Sequence, residues 1–156
     1  MKIENIFQTV RLKEYRAYDN LIDTVDINTV DEDNKSLLHE AVVADNEYVV
    51  KDLLERGIDP DLQDSKGLTA LHYAALHNRT DIAKTIVNKG GDVNIVDEHG
   101  NNALWTATFN ARGSYTIVEI YAKASGDYHN KNQYGKSALD FASQINDSEI
   151  IKIFEA

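Results

Sequence analysis

Apolar positions repeat along this chain of 156 residues with a regular period. A leucine followed three residues later by an alanine occurs four times, as Leu38/Ala41, Leu71/Ala74, Leu104/Ala107 and Leu139/Ala142. The first three pairs are 33 residues apart, and the fourth follows after 35. Residues three apart lie on the same face of a helix, so each pair predicts one short helix with an apolar face. A period of this length is the signature of a repeat architecture.

A second helix is predicted after each leucine–alanine helix. Its apolar stripe is Val49, Val50, Leu53 and Leu54 in one unit and Ile82, Ala83, Ile86 and Val87 in the next. Gly57 and Gly90 follow these stripes and predict helix ends. The residues between the two helices tolerate a positive φ; they are Asp45, Asn78, Gly113 and Asn146.

A turn is predicted before each leucine–alanine helix. One position of this turn suits a left-handed backbone and is occupied by Asn34, Gly67, Gly100 and Gly135. Two residues later the chain has good helix N-caps, namely Ser36, Thr69, Asn102 and Ser137. The order turn, helix, turn, helix therefore recurs in each unit.

This pattern resembles the ankyrin-repeat family, whose units read Asp-x-x-Gly-x-Thr-Pro-Leu-His, then Ala-Ala, then a second helix that ends in glycine. Residues 64–94 match best, although Ala70 stands where the family prefers proline. The resemblance implies an all-α solenoid of about five stacked helix-turn-helix units with projecting hairpin-like loops. The expected units are a degenerate N-terminal capping repeat (1–30), three full repeats (31–63, 64–96 and 97–131) and a truncated C-terminal capping repeat (132–156). Ile150, Ile151, Ile153 and Phe154 are expected to pack inward and cap the stack.

The acidic charge of the chain bears on its partners. The formal net charge is −10, and residues 1–66 carry 16 acidic residues against 8 lysines and arginines. Nucleic acids and anionic membrane surfaces favour basic proteins, so we expect neither as a partner. A basic protein would be attracted, although acidic charge also serves solubility alone. The chain has no cysteine and no apolar run of about 20 residues, and we expect a cytoplasmic protein.

The sequence predicts no catalytic, cofactor or metal site. His72 and His77 are five residues apart, a spacing that does not align two imidazoles on one helix face. His39 and His72 occupy the ankyrin position whose histidine bonds to a loop, so we expect a structural role for both. No Gly-x-Ser-x-Gly elbow or phosphate-binding glycine loop occurs. We therefore expect a protein that is not an enzyme.

The ankyrin resemblance implies that partners dock on the loop tips and the concave face of the inner helices. The residues carried over to those positions, with two departures from the pattern, are Glu32, Asp33, Glu40, Lys66, Tyr73, Leu76, His77, His99, Trp105, Phe109, Asn110, Arg112 and Tyr134. One departure is Trp105 at the histidine position, and the other is a two-residue insertion between Phe109 and Gly113. Insertions in repeats often map to the binding face, so we expect Trp105, Phe109 and Arg112 to mark its centre.

Three functions agree with the sequence. The first is a monomeric interaction module that binds one protein and regulates or inhibits it. The second is a secreted effector that binds a host protein. The third is a small-ligand-binding protein or enzyme that uses the concave groove, which requires a pocket with convergent polar groups.

Overall fold

A computed structural model describes residues 2–156, with side chains from residue 4 onward. This part of the chain forms ten α-helices. They are α1 (Lys2–Arg11), α2 (Tyr15–Ile22), α3 (Leu37–Val43), α4 (Glu47–Glu55), α5 (Ala70–Leu76), α6 (Thr80–Asn88), α7 (Ala103–Asn110), α8 (Thr116–Lys123), α9 (Ala138–Gln144) and α10 (Ser148–Glu155). Consecutive helices pair, from α1 with α2 to α9 with α10.

The helix pairs stack in two layers. The odd-numbered helices contact one another in chain order from α1 to α9, and the even-numbered helices do so from α4 to α10. We call these the inner and the outer layer. The leucines and alanines of the repeat lie between them, and seven of the eight are almost fully buried. Leu139, in the last described helix pair, is half-buried. The expected all-α repeat solenoid is confirmed.

The predicted N-caps start the inner helices from α3 onward. Ser36, Asn102 and Ser137 each accept a hydrogen bond from the backbone N–H three residues later. The Thr69 hydroxyl lies 2.9 Å from Nδ1 of His72. The bonds to Ser36, Asn102 and Ser137 each satisfy an amide of the first helical turn that has no acceptor within the helix. Local sequence therefore decides where each inner helix begins.

Turns with positive φ end the helices and shape the loops. The four predicted hairpin positions, 34, 67, 100 and 135, have φ between 59° and 79°. The four predicted positions between paired helices, 45, 78, 113 and 146, also have positive φ. Two isolated β-bridges, Val30 with Ser36 and Val96 with Asn102, close the loops that precede α3 and α7. These short hairpins lie at the N-terminal ends of the inner helices.

Two buried histidines tie neighbouring hairpins together. Nε2 of His39 lies 2.9 Å from the carbonyl oxygen of Leu68, and Nε2 of His72 lies 3.0 Å from that of Asn101. The expected bonds from these histidines to loops are confirmed.

The last helix covers the end of the apolar core. Ile150 and Phe154 of α10 are buried, and Ile151 and Ile153 pack against the core. The ring of Phe154 stacks on Tyr128 with centroids 4.9 Å apart. The predicted inward packing of α10 is therefore confirmed. No helix within residues 2–156 has the length and apolar character needed to cross a membrane.

Candidate functional site

The predicted contact residues fall into two zones of the inner surface. The hairpin tips carry Glu32, Asp33, Lys66, His99 and Tyr134, and all five side chains are exposed. The inner helices and the turns that follow α5 and α7 carry the other eight. A helix rises about 1.5 Å per residue, so Phe109 lies about 10 Å along α7 from the hairpin end. The structure therefore does not bring all thirteen residues together.

The two C-terminal hairpin tips contact each other. The rings of His99 and Tyr134 are 6.5 Å apart, and Gln133 Nε2 lies 2.9 Å from Nδ1 of His99. Tyr134 keeps 71% of its surface exposed. An aromatic side chain this exposed is available to a molecule that lies across the tips.

Tyr73 joins the hairpins to the inner-helix surface. Its hydroxyl donates a 2.7 Å hydrogen bond to Asp64. Burial, together with this bond to a carboxylate, raises the pKa of the Tyr73 hydroxyl above its ordinary value. His77 stacks on the Tyr73 ring with centroids 6.3 Å apart, and the exposed Leu76 follows on the same helix. Tyr73 is thus held in place and half-buried, whereas Leu76 and His77 are open to solvent.

Three aromatic side chains form a cluster on α7 and α9. Trp105 stacks on Phe109 at 5.2 Å, and Phe141 lies 5.2 Å from Phe109 and 6.0 Å from Trp105. We call these three residues the aromatic cluster. Phe109 keeps 53% of its surface exposed although it touches both other rings. The cluster is therefore a packed apolar surface with one ring turned outward.

Phe141 was not in the set predicted from the sequence. It occupies the repeat position of Tyr73, once the two-residue insertion is counted. The repeat alignment therefore held a signal for Phe141. The contact of Phe141 with α7, however, depends on how α9 packs beside α7.

Trp105 lacks the hydrogen bond that histidine makes at its position. Its indole Nε1 is buried and has no hydrogen-bond partner among the described residues. Other side chains tie this junction together instead. Asn102 Nδ2 donates to the carbonyl of Asp127, and Asn130 Nδ2 donates to that of Gly100, both at 2.9 Å. Trp105 is thus a half-buried member of the aromatic cluster that packs against Phe109 and Phe141.

The insertion lengthens the end of α7 and the turn after it. Residues 111–115 connect α7 to α8, whereas the other turns within helix pairs from α3 onward have three residues. Ala111 is buried and Arg112 is exposed, with a φ of 44°. The side-chain amide of Asn110 is already used in part, because its Nδ2 donates a hydrogen bond to the Thr106 carbonyl at 2.8 Å. Arg112 therefore presents a guanidinium at the far end of α7 from the hairpins.

Glu40 differs from the other predicted contact residues because its carboxylate is already paired. Arg11 of α1 approaches the two carboxylate oxygens at 2.8 and 3.4 Å, and Glu40 is only 7% exposed. The weak match of residues 1–30 to the repeat pattern hid this contact. Glu40 is not available as a free carboxylate, and we leave it out of the proposed surface.

The described residues offer no constellation for metal chemistry. From residue 4 onward, no group of three or more histidine and acidic side chains could hold a metal ion. His39 and His72 are both buried, and burial lowers the pKa of each below its ordinary value. Because both imidazoles are used in hairpin bonds, neither has a nitrogen free for a ligand. The absence of enzyme activity and of a cofactor stays a prediction.

The stacked helix pairs and their inner surface define a helical repeat solenoid, a class of protein that presents an extended surface to its partners. A family model described as "Ankyrin repeats (3 copies)" matches residues 38–132, which is more than half of the chain. The chain therefore belongs to the ankyrin-repeat family. Ankyrin repeats are generally protein–protein interaction modules. Comparison with curated proteins gives no match.

Proposed function

We propose that this protein binds one protein partner on its inner layer, with the aromatic cluster at the centre of the contact. The observation that supports the proposal is Phe109, a large apolar side chain that is 53% exposed and packed against two other rings. Aromatic residues held in this way are enriched among the residues that dominate binding energy. Little conformational entropy is lost when such a ring is covered, because stacking already restricts it.

Neighbouring residues extend the proposed contact beyond the cluster. Leu76 occupies the repeat position of Phe109 on the adjacent helix α5 and is 43% exposed. Tyr73, His77 and Asn110 add polar groups on the inner helices, and Arg112 adds a cation at their far end. The remaining contacts belong to the hairpin tips, at Glu32, Asp33, Lys66, His99 and Tyr134. A partner that touches both zones would cover much of the inner layer.

The proposed action is inhibition or regulation by covering the partner. Binding is itself the effect that an exposed aromatic surface supports. A basic partner suits the net charge of −10, because opposite charge speeds encounter and excludes acidic competitors. The cytoplasmic location and the monomeric state stay predictions.

Affinity capture from a lysate of the source organism tests the proposal. We expect the tagged protein to retain a basic protein and the double variant Phe109→Ala/Phe141→Ala to lose it. Removal of aromatic residues that dominate an interface costs about 2 kcal/mol or more each, which is about 30-fold in affinity.

Tyr48→Ala is the matched control for this experiment. Tyr48 is 50% exposed and lies on α4 in the outer layer, so its loss should leave capture unchanged. Circular dichroism and urea unfolding check that the variants fold. Equal capture by the wild type and a folded double variant would remove the aromatic cluster from the interface.

A further inference from the structure

Backbone hydrogen bonds join the hairpin tips into a ladder. Each tip amide donates to the tip carbonyl of the preceding unit: Ser65 to Asp33 at 2.8 Å, Glu98 to Lys66 at 2.9 Å and Gln133 to His99 at 2.9 Å. The next amide in this register is that of Glu32, in the first hairpin. No described residue accepts a hydrogen bond from the Glu32 amide. Within the described part of the chain, the ladder therefore has an open donor at its N-terminal end.

Glu32, whose amide is this open donor, lines a groove between α1 and the first hairpin. The volume of this groove is about 730 Å³. Its apolar lining includes Phe7, Leu12 and Val30, of which Leu12 is 56% and Val30 37% exposed. We call it the N-terminal groove. It combines apolar contact area with an unused backbone donor, as does a sheet edge that receives an added strand.

The lining of the groove is strongly acidic. Among the described residues, Glu4, Asp31, Glu32 and Asp33 bring four carboxylates. Arg11, the one cation in the described part of the lining, is already bound to Glu40. Asp31 accepts hydrogen bonds from amides of its own turn, but those bonds do not neutralise its charge. Charge complementarity therefore specifies a basic occupant.

We propose that the N-terminal groove binds an extended peptide segment in which basic residues flank an apolar one. A carbonyl of the peptide accepts the Glu32 amide and continues the hairpin ladder by one step. The apolar side chain packs on Leu12 and Val30, and the basic side chains pair with Glu4 and Glu32. This site is separate from the aromatic cluster, and the proposal does not require that the cluster binds anything.

Fluorescence anisotropy with the full chain tests the proposal directly. The probe is a fluorescein-labelled peptide with a central leucine flanked by arginines, and the control peptide has glutamate in place of arginine. We expect the arginine peptide to bind and to weaken as salt is raised, because salt screens exposed charges. Leu12→Ser should weaken binding, because it removes apolar contact from an exposed position.

Two substitutions at Glu32 separate its amide from its carboxylate. The Asn34 amide donates to the Asp31 carbonyl at 3.0 Å, which places Glu32 second in a four-residue β-turn. Neither Glu32 nor Asp33 has positive φ, and proline is favoured at the second position of such a turn. Glu32→Ala removes the charge alone, whereas Glu32→Pro removes the charge and the donor. We expect Glu32→Pro to weaken binding roughly three- to tenfold more than Glu32→Ala does.

Four results would each overturn the proposal. Equal binding by Glu32→Pro and Glu32→Ala excludes the ladder bond, and equal binding of the glutamate peptide excludes the charge argument. Loss of the peptide in Phe109→Ala/Phe141→Ala, with Leu12→Ser unaffected, moves the site to the aromatic cluster. A concentration-dependent dimer in sedimentation that excludes the peptide makes a second copy of this chain the occupant. The reverse pattern, with cluster variants unchanged and groove variants weakened, supports the groove whether or not the cluster binds a protein.

Discussion

His39 and His72 connect their hairpins through the neutral form of the imidazole ring. Nδ1 of each ring accepts a hydrogen bond from a backbone amide, from Ser36 at 3.0 Å and from Thr69 at 3.1 Å. Nε2 therefore carries the proton and donates a hydrogen bond to a carbonyl oxygen of the next hairpin. Protonation of Nδ1 would break the hydrogen bond that it accepts from the backbone amide, and it would place a charge in a buried site. Both effects favour the neutral ring in the folded protein.

We expect the free energy of unfolding to fall as the pH drops below about 6.5, the ordinary pKa of histidine. Burial lowers the pKa of His39 and His72 in the folded state, so the unfolded chain binds more protons in this range. Their stabilisation is complete above about 6.5 and is lost as the pH falls, at no more than about 1.4 kcal/mol per pH unit for each histidine. Urea unfolding at about pH 7.5 and about pH 5.5 measures the difference.

The variant His39→Gln/His72→Gln is the control for this pH dependence. It retains the exposed histidines His77, His99 and His129 and should lose most of the change in stability between the two pH values. An undiminished change in the variant would assign the effect to other groups.

The second and third hairpins stack closely on each other. A Cβ built on Gly67 would lie 3.0 Å from Cα of Asp97 and from the amide nitrogen of Glu98, both in the backbone of the next hairpin. Gly135 has nearly the same φ, 71° against 75°, but nothing lies within 4 Å of a Cβ built there. These two glycines therefore separate backbone strain from close packing.

We expect Gly135→Ala to lower the free energy of unfolding by about 1–2 kcal/mol, which is the strain of a left-handed backbone. Gly67→Ala should cost about 1–3 kcal/mol more, because the methyl group also pushes against backbone that cannot rotate away. Urea unfolding of both variants beside the wild type measures this. Equal losses in the two variants would show that the second and third hairpins move apart without cost.

The whole molecule depends on contacts between neighbouring units. A single helix pair cannot bury its apolar face alone, so the stability of a repeat protein comes largely from the interfaces between units. The chain has one tryptophan, Trp105, which lies in α7. Its ring contacts Phe141 of α9, so its fluorescence reports the junction of α7 and α9, whereas far-ultraviolet circular dichroism reports all of the helices.

We expect the fluorescence and circular dichroism transitions in urea to coincide, because the units unfold as one body. Phe154→Ala removes a buried ring at the opposite end of the stack from α1 and should cost about 3–5 kcal/mol. If the stack is cooperative, this substitution lowers the fluorescence and circular dichroism midpoints by the same amount. A change in Trp105 fluorescence at lower urea than the main circular dichroism transition would show that the α9–α10 pair unfolds independently, because Trp105 contacts Phe141 of α9.

The sequence by itself determined the repeat, the helix starts, the turns and the buried faces. Ser36 and Asn102 act as caps, and Gly67 accepts its left-handed turn, because these properties depend on residues only a few positions away. The loop bonds of His39 and His72 were also predictable, since the same junction recurs at a fixed spacing. The exact unit boundaries and the partner-binding residues stay predictions.

Only the tertiary structure decided how side chains from different units meet. It paired Arg11 with Glu40, placed Phe141 against Phe109, and left the indole N–H of Trp105 without a partner among the described residues. The physical reason is that periodicity specifies which face of a helix is apolar, whereas a particular contact depends on the packing between helices. The repeat pattern is weak in residues 1–30. The surface of α3 that α1 covers therefore follows from the packing of these two helices and not from the repeat.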